Sequence, residues 1–108
     1  MVYLYMGAIK KYKNVELVLE LANRFMNEKR NCKFVIAGGT SDSDYLESLK
    51  KSVSDNKNVT FIDHFIPDEE ISDVMNMADI VVCPLNQKSA LNSGSCMLAL
   101  TFGKQLLC

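Results

Sequence analysis

Residues 80–103, with the sequence IVVCPLNQKSALNSGSCMLALTFG, decide the fold predicted for this chain. An apolar strand-like run is followed by a polar loop, small residues and a short apolar helix that stops at Gly103. In α/β proteins this order places free backbone N–H groups at a helix N-terminus, where they bind anions. The alternative is that Ser93 is an ordinary helix N-cap. We interpret residues Asn92, Ser93, Gly94 and Ser95 as a phosphate-binding site, the phosphate seat.

Working outward, strand-like and helix-like segments alternate along the whole chain. Helical spacing of apolar residues begins after Asn14, a plausible N-cap, and a further helix begins at Pro67. The predicted strands are residues 2–6, 32–37, 59–62, 79–83 and 105–108, and the predicted helices cover about residues 15–28, 45–53, 68–78 and 96–102. Such alternation predicts an α/β, Rossmann-like parallel sheet of about five strands, order 3-2-1-4-5, with helices on both faces.

Composition limits the class of protein. The chain has 108 residues, 48% of them hydrophobic, which fits a single domain over residues 1–108. Twelve basic and thirteen acidic residues leave no basic excess, which argues against nucleic acid as a partner. No run approaches the ~18 apolar residues of a membrane-spanning helix, and no signal peptide is evident. A reducing, cytoplasmic setting is indicated by four scattered cysteines without a CxxC pair: Cys32, Cys83, Cys96 and Cys108.

Two loops are expected to meet where the strand order reverses. The loop after strand one carries Lys10, Lys11 and Lys13, and the loop after strand four leads to the phosphate seat. Lys13 would then clamp a diphosphate, although solvated loop lysines are the commoner case. His64 follows strand three on the same side and is either a base or base-pocket residue or simply exposed. Neither a dinucleotide fingerprint nor a P-loop is present, and a lone histidine disfavours a zinc site.

In order and spacing, a series of weak motifs resembles the C-terminal domain of GT-B-fold glycosyltransferases, most closely family four, the retaining group 1 enzymes. The motifs are Gly7, residues 12–15 in the lysine loop, the strands at 34–38 and 58–61, the strand entry at 78–84, and Ser93-Gly94 with Gly103-Lys104 around the last helix. The resemblance implies that this part binds a UDP-, GDP- or ADP-linked sugar, with no metal or other cofactor. A separate N-terminal half would bind the acceptor glycan or lipid-linked glycan.

Carried over residue by residue, the resemblance assigns Gly7 to the end of the first strand and Lys13 to the diphosphate. It places the loop and helix start under the phosphates at Asn92, Ser93, Gly94 and Ser95. The family's arginine after the glycine falls at Ala8, and its two glutamates fall at about Ala90 and Leu98. Donor sugar and retaining stereochemistry therefore stay open. We expect a piece of a larger two-domain transferase of polysaccharide or glycoconjugate assembly, inactive alone, cytoplasmic, with peripheral membrane association left open.

Two other classes compete with this interpretation. A non-catalytic α/β binding or interaction domain with a decayed donor site would explain the missing arginine and glutamates. A flavodoxin-like signalling receiver would need an acidic pocket at the ends of strands one and three, where only Asp63 is acidic. The sequence therefore favours the donor domain over the receiver.

Overall fold

The computed structural model of this chain describes residues 1–10, 14–82, 103 and 105–107. Its elements are β1 (Val2–Met6), α1 (Val15–Asn27), β2 (Lys33–Ala37), α2 (Ser43–Ser52), β3 (Val59–Ile62), α3 (Asp68–Asn76), β4 (Ile80–Val82) and β5 (Gln105–Leu107). The strands form one sheet, order β3-β2-β1-β4-β5, and every neighbouring pair is parallel. The predicted Rossmann-like architecture and strand order are confirmed, while the helix expected at 96–102 lies outside the described residues.

The side chains of the sheet alternate between two cores, one on each face. On one face Tyr3 and Tyr5 of β1 pack with buried residues of α1 and α2, such as Val18 and Leu49. On the other face Leu4 of β1 packs against residues of α3. Because both faces are covered, the central strands β1 and β2 are apolar along nearly their whole length, as the sequence indicated.

The start of α1 differs from the prediction. Asn14 stands at the N-cap position, but its side chain makes no capping hydrogen bond. Its backbone is left-handed, with φ 57°, a conformation that asparagine adopts more readily than most residues. The first turn is closed by the backbone N–H of Leu17, which donates to the carbonyl of Asn14 at 3.1 Å. The left-handed backbone of Asn14 therefore sets the direction in which the chain enters α1, and its side chain does not cap the helix.

The starts of α2 and α3 follow ordinary helix chemistry. Asp42 caps α2, its carboxylate accepting the backbone N–H of Tyr45 at 3.0 Å. Pro67 precedes α3, whose first turn carries Asp68, Glu69 and Glu70 at the positive end of the helix dipole, as predicted. Among the described helices none is long and apolar enough to cross a membrane.

Asn56 is the buried polar residue of the described part of the chain, and it ties α1 to the start of β3. Its amide donates to the carbonyl of Ala22 and to the side-chain oxygen of Asn23, both at 3.1 Å. Its own side-chain oxygen accepts the backbone N–H of Asn58 at 3.0 Å. With these partners the amide is buried without an unpaired polar atom, and the second strand and helix unit is fixed against the first.

Candidate functional site

The carboxyl ends of β1, β2 and β3 meet at one edge of the sheet, where their loops pack backbone against backbone. The N–H of Gly7 donates to the carbonyl of Ala37 at 2.9 Å, and the N–H of Gly38 donates to that of Ile62 at 3.0 Å. Gly7 and Gly38 have positive φ values of 151° and 156°. A Cβ atom at Gly38 would overlap the carbonyl oxygen of Gly7 and lie 2.8 Å from its carbonyl carbon. Glycine is therefore required at position 38 by close approach as well as by conformation.

A cavity of about 680 Å³ opens at this edge. Its apolar walls include Met6, Ala37, Ile66 and Ile71. Its polar rim is formed by Lys10, Thr40, Ser41, Asp63 and His64, together with the backbones of Gly7, Ala8, Gly38 and Gly39. An apolar interior with a few polar groups at the rim is the usual composition of a small-molecule site. In open parallel sheets ligands bind outside the carboxyl ends of the strands, which is where this cavity lies.

Asp63, at the end of β3, is held by a lysine from α2. The Lys50 ammonium lies 2.8 Å from the Asp63 carboxylate and 5.9 Å from the centre of the Phe61 ring. The hydrogen bond from Lys50 lowers the pKa of Asp63, and the same hydrogen bond raises the pKa of Lys50. Among the residues that line the described cavity Asp63 is the one carboxylate, so the described ends of β1 and β3 do not form the acidic pocket of a receiver.

Because of this ion pair, the stability of the fold should depend on pH in the acid range. A carboxyl with a lowered folded-state pKa stabilises the fold above its unfolded pKa of about 3.9, and that stabilisation is lost as pH falls through the folded-state pKa. Lys50→Met should raise the Asp63 pKa toward its ordinary value and remove this acid-side contribution. NMR titration of the Asp63 carboxyl measures the change, with Lys51→Met, an exposed neighbour on α2, as the control. An unchanged Asp63 midpoint in Lys50→Met would contradict the assignment.

The two residues after Asp63 complete the rim. The His64 imidazole lies 3.9 Å from the carboxylate of Glu70 on α3, and its side chain is 61% exposed. Phe65 is 78% exposed although it is aromatic and lines the cavity. A Cβ atom at Gly39 would lie 3.1 Å from the backbone nitrogen of Phe65, so the loops after β2 and β3 are in close contact. The sequence placed His64 on the ligand side, and the structure brings it to the cavity.

Of the site residues predicted from sequence, Gly7 lines the cavity, as does Lys10 of the lysine loop. Lys11, Lys13, Asn92, Ser93, Gly94 and Ser95 lie outside the described residues, so the diphosphate clamp remains a prediction. Sequence reasoning missed Gly38, Gly39 and Phe65. A glycine pair directly after a buried strand was the available signal for the first two. No group of metal-ligating side chains occurs in the part of the chain that the structure describes.

Residues 1–91 match the family model described as glycosyl transferases group 1. Among curated proteins no sequence matches the chain.

Solved structures with a similar fold include several glycosyltransferases. The Anabaena protein HepE, in complex with UDP and glucose, aligns with TM-score 0.65 and 18% identity over 97% of this chain and 28% of its own. The C-terminal domain of the group 1 family protein LpcC from Francisella tularensis aligns with TM-score 0.65 and 23% identity over 76% of this chain and 45% of its own. The catalytic domain of starch synthase IV from Arabidopsis thaliana, bound to ADP and acarbose, aligns with TM-score 0.69 and 16% identity, covering 97% and 21%. At these identities the likeness shows the fold, and the chain spans less than half of each structure.

Proposed function

Since this chain belongs to the glycosyl transferases group 1 family, we propose that it is the donor-binding part of an enzyme that transfers a sugar from a nucleotide-diphosphosugar. The observation that carries the proposal is the cavity at the carboxyl edge of β1 to β3, with Gly7 and Lys10 in its wall. Its volume of about 680 Å³ lies within the ~300–1,000 Å³ typical of small-molecule sites.

Two regions of the chain would bind different parts of such a donor. The base and ribose need a partly apolar slot, which the described cavity offers through Met6, Ile66 and Ile71. The diphosphate needs cations and N–H donors, and we assign these to Lys13 and to the helix start predicted from the sequence at residues 92–95. Positive charge and aligned N–H groups would stabilise the diphosphate as it departs and negative charge develops on it. No metal or other cofactor is part of this proposal.

The wider role is proposed from the same family. The acceptor, a glycan or a lipid-linked glycan, would be bound by a second half of a two-domain protein, with transfer in the cleft between the halves. We place the full protein in polysaccharide or glycoconjugate biosynthesis in the cytoplasm. HepE is described in complex with UDP-glucose and starch synthase IV with ADP, so UDP and ADP are candidate nucleotides for this chain.

Calorimetric titration of the purified chain with UDP, GDP and ADP tests the proposal. We expect saturable binding of at least one nucleotide, weakened in Lys13→Ala about tenfold or more, because a hydrogen bond to a charged group contributes about 1.5–3 kcal/mol. Ser93→Trp should weaken binding as well, because a bulky side chain would obstruct the predicted phosphate site. The matched control is Lys33→Ala, since Lys33 is exposed and begins β2 at the opposite edge of the sheet. Equal affinity in Lys13→Ala, Ser93→Trp and the unmodified chain would refute the clamp.

A non-catalytic binding domain is the second candidate, and Ala8 is the observation that favours it. Ala8 lies in the cavity wall, where the family resemblance places an arginine. Its carbonyl accepts the hydroxyl of Tyr5 at 2.6 Å, so at this position the wall offers a backbone group and no cation. Nucleotide binding by the full-length protein without any sugar transfer or donor hydrolysis would support this candidate over the enzyme.

A further inference from the structure

The strand β3 is an edge of the sheet formed by the described residues. It pairs with β2 on one side, and no described strand lies on its other side. Thr60, its second residue, is exposed, and the other three residues are half-buried. An unpaired strand edge is a template for pairing with another strand, and β-branched and aromatic residues favour such pairing. The outer side of β3 is therefore a candidate contact surface.

The register of β3 on β2 shows which backbone groups face outward. The N–H of Phe34 on β2 donates to the carbonyl of Asn58 at 2.8 Å, so the even-numbered positions of this segment face β2. Because hydrogen-bonding groups alternate in direction along a strand, those of Val59 and Phe61 face outward. The N–H of Val59 makes one long hydrogen bond, at 3.4 Å, to the carbonyl of Asn56. Phe61 has no outward backbone partner among the described residues, so its N–H and carbonyl are free to pair.

We propose that β3 pairs antiparallel with β3 of a second copy of this chain, about a two-fold axis at Thr60. In this register the sequence from Lys57 to Asp63 is complementary to itself. Thr60 lies opposite its own counterpart, and Val59 lies opposite Phe61 of the second copy. Lys57 lies opposite Asp63 at each end. A symmetric dimer needs a patch of this kind, which matches a second copy of itself.

This register also satisfies the outward backbone groups. In an antiparallel pair, facing residues whose N–H and carbonyl point at each other exchange two hydrogen bonds. Here those residues are Val59 and Phe61, and symmetry repeats the pair. The backbone groups of Thr60 face β2, so the two threonines form the close pair without backbone hydrogen bonds, where their side chains can bond to each other. Backbone and side chains therefore favour the same register.

Charge at the two ends of β3 favours a second copy of the chain over a parallel arrangement. Lys57 and Asp63 are both exposed and carry opposite charges at opposite ends. An antiparallel copy brings each beside its counterpart, whereas a parallel copy would place like charges together. The Asp63 carboxylate already accepts a hydrogen bond from Lys50 at 2.8 Å. A carboxylate accommodates several donors, so Lys57 of the second copy can bind it as well.

Sedimentation equilibrium of the purified chain at increasing concentration tests the contact. We expect the mass to rise from the 12.1 kDa of one chain to twice that value. Thr60→Lys and Thr60→Glu should each keep the mass of one chain, because like charges would then lie directly opposite at the axis. An equimolar mixture of the two variants should restore the double mass, since opposite charges then face each other. Circular dichroism checks that each variant is folded.

Lys57→Glu provides a second test, away from the axis. It places two carboxylates opposite each other at both ends of the paired strands and should weaken the dimer about tenfold. The matched control is Lys29→Glu, the same change of charge at an exposed position in the turn after α1. It should leave the dimer unchanged.

Three results would overturn the inference: a single-chain mass at every concentration, a dimer that Thr60→Lys does not weaken, or a mixture of the two Thr60 variants that stays monomeric. An equal effect of Lys57→Glu and Lys29→Glu would overturn the charge pairing and with it the register. Thr60 and Lys57 do not line the cavity. The outcome is therefore independent of nucleotide binding, and the donor site stands or falls by its own titration.

Discussion

Gly38→Ala is expected to destabilise the chain by about 3 kcal/mol or more, because one methyl group meets two separate obstacles. The new Cβ would overlap the carbonyl oxygen of Gly7, a backbone atom that no rotamer change can move. The backbone of Gly38 also has φ 156°, which a residue with a Cβ atom rarely adopts. Urea unfolding of the purified variant, followed by circular dichroism, measures the loss.

Gly103→Ala is the matched control for the contribution of conformation. Gly103 has φ 68°, but a Cβ atom there would meet nothing within 4 Å. Its substitution should cost only about 1 kcal/mol, the strain of a left-handed residue without a clash. If Gly38→Ala and Gly103→Ala lost the same free energy of unfolding, the contact with Gly7 would not be the cause.

The position of Gly38 links stability to the candidate site. Moving the Gly7 carbonyl displaces the end of β1, from which the chain leads through Lys10 toward Lys13. We therefore expect the folded fraction of Gly38→Ala to bind nucleotide more weakly as well. Binding can be measured at low temperature without urea, where the folded fraction is followed independently by circular dichroism.

The strand order could be derived from sequence because each element carried its own signal. The bounds predicted for Val59–Ile62 were correct, because a short run of β-branched and aromatic residues lies there between polar turns. Buried positions on α1, such as Val18 and Leu19, followed from helical spacing. Alternation of strand and helix then allowed few topologies for a parallel sheet. The local patterns and the global fold therefore agree in this chain.

The cavity was less accessible to sequence reasoning, because its walls come from three loops that meet only in the folded sheet. In the sequence Gly38 and Gly39 indicate only the end of a strand. In the structure they are important because their backbones lie close to those of Gly7 and Phe65. Phe65 reads as an apolar residue of an extension of β3, and only its exposure shows that it is outside the core. Asn14 read as a side-chain cap, because sequence does not reveal a left-handed backbone. Long-range proximity and backbone conformation were the missing information in each case.

Phe34→Ala is expected to destabilise the chain by about 3–5 kcal/mol, the range for removing a fully buried aromatic side chain. Phe34 is 1% exposed on β2, between β1 and β3. Its ring stacks on Tyr3 with centroids 4.8 Å apart and an interplanar angle of 10°, and it contacts Phe25 of α1 at 5.8 Å. The cavity left by alanine would therefore remove support from both the sheet and α1. Chemical unfolding measures this change.

The comparison with Phe61→Ala separates burial from the loss of an aromatic residue. Phe61 lies on the edge strand β3 and is only partly buried, so its removal should cost clearly less. A double-mutant cycle between Phe25 and Phe34 should give a coupling of about 0.5–1.5 kcal/mol beyond the additive losses. Equal losses for Phe34→Ala and Phe61→Ala, or no coupling to Phe25, would show that this aromatic cluster does not stabilise the fold as argued.

Phe34→Ala also serves as a comparison for Gly38→Ala, because both should lower stability but only one should change nucleotide affinity. Phe34 is the second residue of β2, whereas Gly38 follows the last one, so the two lie toward opposite edges of the sheet. Both substitutions should reduce the free energy of unfolding by several kcal/mol, a large part of the ~5–15 kcal/mol that a domain possesses. Only Gly38→Ala alters the carboxyl edge, and so only it should change nucleotide affinity per folded molecule. Reduced affinity in folded Phe34→Ala would mean that the site depends on the whole sheet rather than on the loops at its carboxyl edge.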